Sequence, residues 1–167
     1  ELGFHGLGEL VIGLMFGPLC MLGIQSALTG TMFSWPMLCM SVAIGSMVTN
    51  IVYVHSVMEV DADGQLGKMT FARLLKNKAA MIVFIGFFAL VPFAMLVLGI
   101  MMGWWSAWYL MTLLTLPMSI FLIHSTRLFA YGLPREDKPR WWMGPMGDWD
   151  NYVKAGIDWF LFRWLLA

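Results

Sequence analysis

Four apolar runs decide what this 167-residue chain can fold into. A helix that crosses a bilayer needs about 20 mostly apolar residues, and each run reaches that length. The runs cover Leu7–Leu28, Pro36–Val57, Ala79–Met102 and Trp104–Ser125. Only 12% of the residues are charged, whereas an ordinary soluble domain is about a quarter charged. The sequence therefore predicts an all-α polytopic transmembrane helical bundle, one membrane domain over residues 1–167, with a short fifth C-terminal helix at Tyr152–Ala167.

The charged residues predict the orientation of the spans and exclude one class of partner. Ten basic and ten acidic residues cancel, so there is no electrostatic basis for nucleic-acid binding. The basic residues lie in or beyond the two loops Glu59–Lys78 and Arg127–Asp150, which follow the second and fourth runs. Because cytoplasmic loops carry the excess of Lys and Arg, we expect both loops and the N-terminus on the cytoplasmic side of a bacterial or archaeal cytoplasmic membrane.

The loop after the second run holds a cluster of acidic side chains. If the second helix continues to Asp63, then His55, Glu59 and Asp63 lie four residues apart on one helix face. Two carboxylates at this spacing repel each other, and a divalent cation would relieve that repulsion. Mg²⁺ is commonly held by one or two carboxylates together with substrate phosphates and waters. The pattern is compatible with a magnesium–diphosphate site, in which Asp61 is a further carboxylate of the same loop.

Basic side chains follow the acidic ones. Gly67 permits a turn, after which Lys68 and Arg73 place positive charge within reach of an anionic group. A solvated loop of mixed charge between two spans has the same composition, so the spacing alone leaves that alternative open.

The same residues resemble a motif of a known family. Glu59-x-x-x-Asp63-x-x-x-Gly67-Lys68-x-Thr70 resembles the second aspartate-rich motif of the UbiA superfamily of membrane aromatic prenyltransferases. The likeness is to the menaquinone-pathway branch, whose acceptor is a dihydroxynaphthoate ring. This sequence departs from the branch at Glu59, where Asp is usual, and at a second site four residues earlier, where His stands in place of Asn.

A second stretch supports the resemblance and indicates which part of such an enzyme the chain represents. Gly6-Leu7-Gly8-Glu9, followed by an apolar run, resembles the opening of the fifth helix in that branch. The order of the two motifs fits as well, with two spans between them. The resemblance implies the C-terminal part of a larger prenyltransferase bundle. The superfamily's first aspartate-rich motif does not occur in this sequence, so we expect the N-terminal half of the same protein, or a partner subunit, to supply it.

The resemblance assigns roles to individual residues. Asp63 matches the second metal-binding Asp, and Lys68 matches a Lys that lies near the diphosphate in the family. Arg73 is included only because it lies close to this motif in the sequence. Asn50 is included because it lies nine residues before Glu59, on a similar face of the helix. The candidate site consists of the metal ligands Glu59, Asp61 and Asp63, the catalytic cations Lys68 and Arg73, and the cofactor-binding polar contacts His55 and Asn50.

The implied reaction transfers an isoprenoid chain from a prenyl diphosphate to an aromatic acceptor, a quinone precursor or a related ring, assisted by Mg²⁺. The chain alone is expected to be inactive, because it lacks the first motif. A non-catalytic membrane subunit with a degenerate site, packed in a larger assembly, is the alternative. A transporter fragment is a weaker one, because transporter sites lie near the bilayer midplane, whereas these charges cluster at one membrane face.

Overall fold

The protein is described by a computed structural model over residues 6–134, and all of its regular structure in that range is helical. Four helices are long and apolar enough to cross a membrane. They run from Gly8 to Thr29, Trp35 to Met58, Lys78 to Met101 and Ala107 to Ala130, and are called the first to fourth spans. This confirms the predicted all-α class and the four spans. The predicted fifth helix at Tyr152–Ala167 lies outside the described residues.

Two short helices lie between the second and third spans. The first loop helix is Val60–Gln65 and the second loop helix is Phe71–Leu75. Thr70 begins the second one as its N-cap, with a hydroxyl oxygen that accepts from the Arg73 backbone N–H at 3.5 Å. The candidate site residues from Asp61 to Arg73 therefore lie on a folded, helical loop.

Proline residues coincide with changes of helix type in two of the spans. Pro18 lies in a π-helical turn, Met15–Leu19, which interrupts the first span because proline removes one of the backbone donors. The fourth span starts as a 3₁₀-helix, Ala107–Thr115, and becomes α-helical at Leu116. Pro117 thus occupies the first turn of the α-helical part, where a missing N–H costs little.

The first and second spans approach each other through small residues. A Cβ atom on Gly45 would lie 2.7 Å from the backbone oxygen of Gly13, and one on Gly17 would lie 2.7 Å from the Cα of Gly45. Such small residues are what allow membrane helices to pack backbone to backbone. The contact explains why these glycines recur at a spacing of four residues in the first span.

Gly45→Ala is expected to destabilise the protein by about 1–3 kcal/mol, because the added methyl group overpacks a backbone contact. Gly23→Ala is the matched control, since no neighbouring atom of the described chain lies within 4 Å of its added Cβ. Reversible unfolding in detergent should separate the two variants. Equal stabilities would contradict the close contact between the first two spans.

A buried aromatic cluster packs the second loop helix against the second and third spans. The ring of Phe71 lies 5.5 Å from that of Tyr53 on the second span and 5.1 Å from that of Phe84 on the third. Tyr53 is fully buried, and Phe71 is nearly so. This packing sets where the second loop helix lies, and with it the position of Arg73.

Candidate functional site

The second span ends before the acidic cluster does. Its helix stops at Met58, and Glu59 takes φ −103° and ψ 12° before the first loop helix begins. The backbone bonds from the Glu59 N–H to the His55 oxygen (3.0 Å) and from the Asp63 N–H to the Glu59 oxygen (2.8 Å) persist. The second span is therefore not continuous through Asp63, which was the condition for placing His55, Glu59 and Asp63 on one helix face. His55 and Glu59 are exposed, while Asp63 is buried.

A glycine turn brings Lys68 back to Asp63. Gly67 adopts φ +69°, the left-handed conformation that glycine takes most readily. The Lys68 N–H donates to the Asp63 backbone oxygen at 2.9 Å, and the Gly67 N–H donates to that of Gly64 at 3.2 Å. This pair of bonds is the Schellman arrangement that ends many helices. It returns the Lys68 ammonium to within 3.3 Å of the Asp63 Oδ1 atom, which gives the Asp63-x-x-x-Gly67-Lys68 pattern a structural cause.

Within the described residues, only one of the two Asp63 carboxylate oxygens has a bonding partner. The residue is 4% exposed, and its Oδ2 atom is buried with no hydrogen-bond partner among residues 6–134. A buried carboxylate oxygen without a partner is costly. The Lys68 side chain is 49% exposed, so its charge reaches the surface beside this orphaned oxygen. The pair therefore offers a hard oxygen ligand and an accessible cation at one place.

Arg73 stabilises the turn through the main chain. Its Nη1 atom donates to the Lys68 backbone oxygen and, at 3.5 Å, to that of Asp63. Basic side chains near a helix C-terminus commonly bond the last carbonyl groups in this way. The Arg73 guanidinium therefore contacts the backbone of the acidic loop and holds the turn that carries Lys68, and its predicted catalytic role stays a prediction.

The other predicted ligands are not gathered around Asp63. Glu59 and Asp61 are exposed, and Asp61 lines a separate cavity of about 320 Å³ together with Lys78. Within the described part of the chain no three His, Cys, Asp or Glu side chains are grouped so as to hold a metal ion. The roles predicted for Glu59 and Asp61 stay predictions.

Asn50 lies deeper, beside an apolar cavity. It is buried in the second span, and its Oδ1 atom has no hydrogen-bond partner in the described range. It lines a cavity of about 330 Å³ between the second, third and fourth spans. A neighbouring cavity of about 370 Å³ extends towards Trp105. The walls that the two cavities share are Met47, Pro92, Phe93 and Thr115.

The structure also places one charged residue that the candidate set omits. The Glu9 carboxylate is buried, and its Oε1 atom accepts from the Ser56 hydroxyl at 2.7 Å and from the Phe71 backbone N–H at 3.1 Å. The available signal was that Glu9 is the single charged residue inside the first apolar run, since an ionisable residue in a span is commonly functional.

Comparison with known protein families identifies a family model that matches most of the chain. The model of the UbiA prenyltransferase family matches residues 3–144, a stretch that includes the four spans and the loop with Asp63 and Lys68. No curated protein and no solved structure matches the chain.

Proposed function

Because this chain belongs to the UbiA prenyltransferase family, whose members are membrane prenyltransferases, we propose that it forms part of an enzyme that prenylates an aromatic ring. The observation that carries the proposal is the buried Asp63 carboxylate, with one oxygen bonded to Lys68 and the other without a partner in the described part of the chain. A non-catalytic subunit is not favoured, because the motif that holds this pair has kept its turn, its buried carboxylate and its cation.

The proposed reaction exchanges one carbon–oxygen bond for one carbon–carbon bond. The bond between the allylic carbon and the diphosphate oxygen breaks, and the diphosphate leaves with the electron pair. An electron-rich ring carbon of the acceptor then bonds to the allylic carbon, and the ring loses a proton. Charge builds up on the departing diphosphate, so fixed positive groups aimed at that position lower the barrier. Lys68 supplies such a group at the site.

Arg73 contributes in a different way from Lys68. Its guanidinium donates to the backbone oxygens of Lys68 and Asp63, so it keeps the turn closed and the ammonium beside the carboxylate. Preorganised charge of this kind needs no rearrangement at the moment of reaction. We therefore assign Lys68 to the diphosphate and Arg73 to the turn that presents it.

The site fits a magnesium ion at one carboxylate. The orphaned Oδ2 atom of Asp63 is a hard oxygen of the kind that Mg²⁺ prefers, and one or two carboxylates with substrate phosphates commonly suffice. Bound there, Mg²⁺ would neutralise part of the charge on the diphosphate. Glu59 and Asp61 remain candidates for a second contact, and His55 for a polar contact to the substrate.

The apolar cavities beside Asn50 provide a volume for the isoprenoid chain. The residues that line both cavities are Met47, Pro92, Phe93 and Thr115. A hydrocarbon tail that moved from the lipid into these cavities would therefore stay in a mostly apolar environment. Exclusion of water there also protects a developing allylic cation. The Asn50 amide oxygen, which has no hydrogen-bond partner within residues 6–134, supplies a polar group in the wall of this volume.

Two further parts of the proposal concern groups outside the site. The sequence lacks the superfamily's first aspartate-rich motif, and we propose that the rest of the same protein or a partner subunit supplies it. The likeness of the acidic motif to the menaquinone-pathway branch supports a naphthoate-type acceptor.

The test is prenyl transfer in membranes that contain the complete protein. Membranes are incubated with a labelled allylic diphosphate and dihydroxynaphthoate, with and without EDTA. We expect a prenylated ring product that disappears with EDTA and returns with added Mg²⁺. Absence of any prenylated product from a panel of aromatic acceptors, with the protein present and folded, would contradict the proposal.

The proposed orientation has its own test in sealed, right-side-out cells. Gln65 is exposed in the acidic loop, and Ser106 is exposed between the third and fourth spans. Gln65→Cys should resist a membrane-impermeant thiol reagent, because its loop is cytoplasmic by the distribution of basic residues, whereas Ser106→Cys should react. The opposite labelling pattern would invert the topology.

A further inference from the structure

The N-terminal segment Gly6–Glu9 holds the chain that follows Lys68 at two points. The Gly6 N–H donates to the Met69 backbone oxygen at 3.1 Å. Three residues later, the Glu9 carboxylate accepts from the Phe71 N–H, also at 3.1 Å. The two bonds bracket Thr70, so this short stretch of the loop is fixed from both sides by the start of the first span.

Gly6 takes a conformation that suits this contact. Its φ is +75°, and a Cβ atom there would lie 3.3 Å from the Thr70 backbone oxygen. Residues other than glycine seldom adopt this region, and a side chain would press on the bonded loop. The glycine is therefore required by both its backbone angle and the space available.

Glu9 links the loop to the body of the bundle. The same Oε1 atom that accepts from Phe71 also accepts from the hydroxyl of Ser56, near the end of the second span. A buried carboxylate is costly unless hydrogen bonds satisfy it, and these two donors come from different elements. One oxygen thus connects the first span, the second span and the second loop helix.

We infer that Glu9, together with Gly6, is a positioning residue that sets the place of the diphosphate-binding cation Lys68 relative to Asp63. Lys68 immediately precedes the bonded stretch, and Arg73 follows it by two residues. Release of Met69–Phe71 would leave the Lys68 ammonium free to move away from the Asp63 carboxylate, and the Arg73 guanidinium free to leave the backbone oxygens that it binds. This role rests on the proposed function, since it concerns the affinity for a diphosphate.

The decisive comparison is Glu9→Ala with Glu9→Gln in the complete protein. The alanine leaves the Phe71 N–H without its acceptor, whereas the glutamine oxygen can accept the same bond. Leu10→Ala is the matched control for truncation of a neighbouring side chain, because Leu10 is 37% exposed on the first span. Each variant is followed by amide hydrogen exchange and by the KM for the allylic diphosphate.

We expect Glu9→Ala to accelerate exchange across residues 69–75 while the four spans exchange as in the wild type. The KM for the diphosphate should rise about tenfold, the effect of one lost hydrogen bond to a charged group, with a smaller change in kcat. Glu9→Gln should recover most of both effects, and Leu10→Ala should resemble the wild type.

Two results would overturn the inference. Unchanged exchange in residues 69–75 of Glu9→Ala would show that the carboxylate does not hold the loop. Equal acceleration in the loop and in all four spans would show a general role in folding. Should Glu9→Ala fail to fold, Ser56→Ala, which removes one donor to Glu9, must accelerate exchange in residues 69–75 alone, and no acceleration counts against the inference.

Failure of this inference can be told apart from failure of the proposed function. Hydrogen exchange reports the position of the loop whether or not the protein transfers a prenyl group. Suppose that Glu9→Ala loosens the loop but that neither it nor a Lys68 variant alters diphosphate binding. Glu9 then holds residues 69–71 as inferred, and the proposed diphosphate site is wrong.

Discussion

Asp63→Asn is expected to lower kcat for prenyl transfer by about a hundredfold, which corresponds to roughly 3 kcal/mol of transition-state stabilisation. The substitution keeps the size of the side chain and removes the anionic Oδ2 atom, which is buried and without a partner in the described residues. If that atom holds the metal that neutralises the departing diphosphate, the loss falls on the chemical step. Single-turnover measurements with the complete protein separate this step from substrate binding.

Glu59→Gln and Asp61→Asn are the matched comparisons for Asp63→Asn. Each removes one carboxylate charge from the same loop, but both side chains are exposed. Since exposed carboxylates are compensated by water, we expect both variants to lose less than Asp63→Asn does. Excess Mg²⁺ should recover only part of the activity of Asp63→Asn. Near-wild-type rates for both Asp63→Asn and Glu59→Gln would show that this loop does not hold the metal.

The spans were predictable because the bilayer restricts them so strongly. A run of about 20 apolar residues has few alternatives to a helix in lipid, where every backbone group must be satisfied internally. The predicted first run, Leu7–Leu28, and the observed span, Gly8–Thr29, differ by one residue at each end. The 3₁₀ start of the fourth span was not predictable, since an apolar run specifies that a segment crosses and leaves its local helix type to packing.

The site was predicted less completely, because burial in a loop depends on tertiary contacts. The sequence places Asp63 and Lys68 five residues apart, and a glycine between them allows the turn that joins them. Nothing in the spacing tells which carboxylate turns inward. Asp63 is buried and Glu59, four residues earlier, is exposed, although the Asp63 N–H still donates to the Glu59 backbone oxygen. The spacing argument considered one helix by itself, so it could not distinguish the carboxylate that is buried against the bundle from the one that is exposed.

Glu9 is a second residue whose charge was visible in the sequence but whose contacts were not predictable from it. Its charge inside an apolar run was visible in the sequence, but its partners Ser56 and Phe71 lie 47 and 62 residues away along the chain. Only the close approach of the first two spans, through Gly13 and Gly45, brings these groups together. Contacts of this range follow from helix packing, which small residues permit without specifying which polar groups will meet.

Lys68→Met is expected to raise the KM for the allylic diphosphate by tenfold or more, the range for a lost hydrogen bond to a charged group. The methionine keeps the length and apolar character of the side chain but removes the ammonium group that lies 3.3 Å from Asp63 Oδ1. Lys68→Arg is the conservative control, and we expect it to keep most of the affinity because the charge remains. Equal KM values for the wild type and Lys68→Met would remove Lys68 from the diphosphate site.

The double variant Asp63→Asn with Lys68→Met tests whether the two residues act as one unit. Removal of Lys68 alone leaves the Asp63 carboxylate buried without its cation, so part of the single-variant loss comes from that uncompensated charge. In the double variant this charge is gone. We therefore expect the combined loss in kcat/KM to be smaller than the sum of the two single losses in free energy, as for residues in direct contact. Strict additivity would mean that Lys68 and Asp63 meet the substrate independently, and that the ion pair brought together by the Gly67 turn has no part in catalysis.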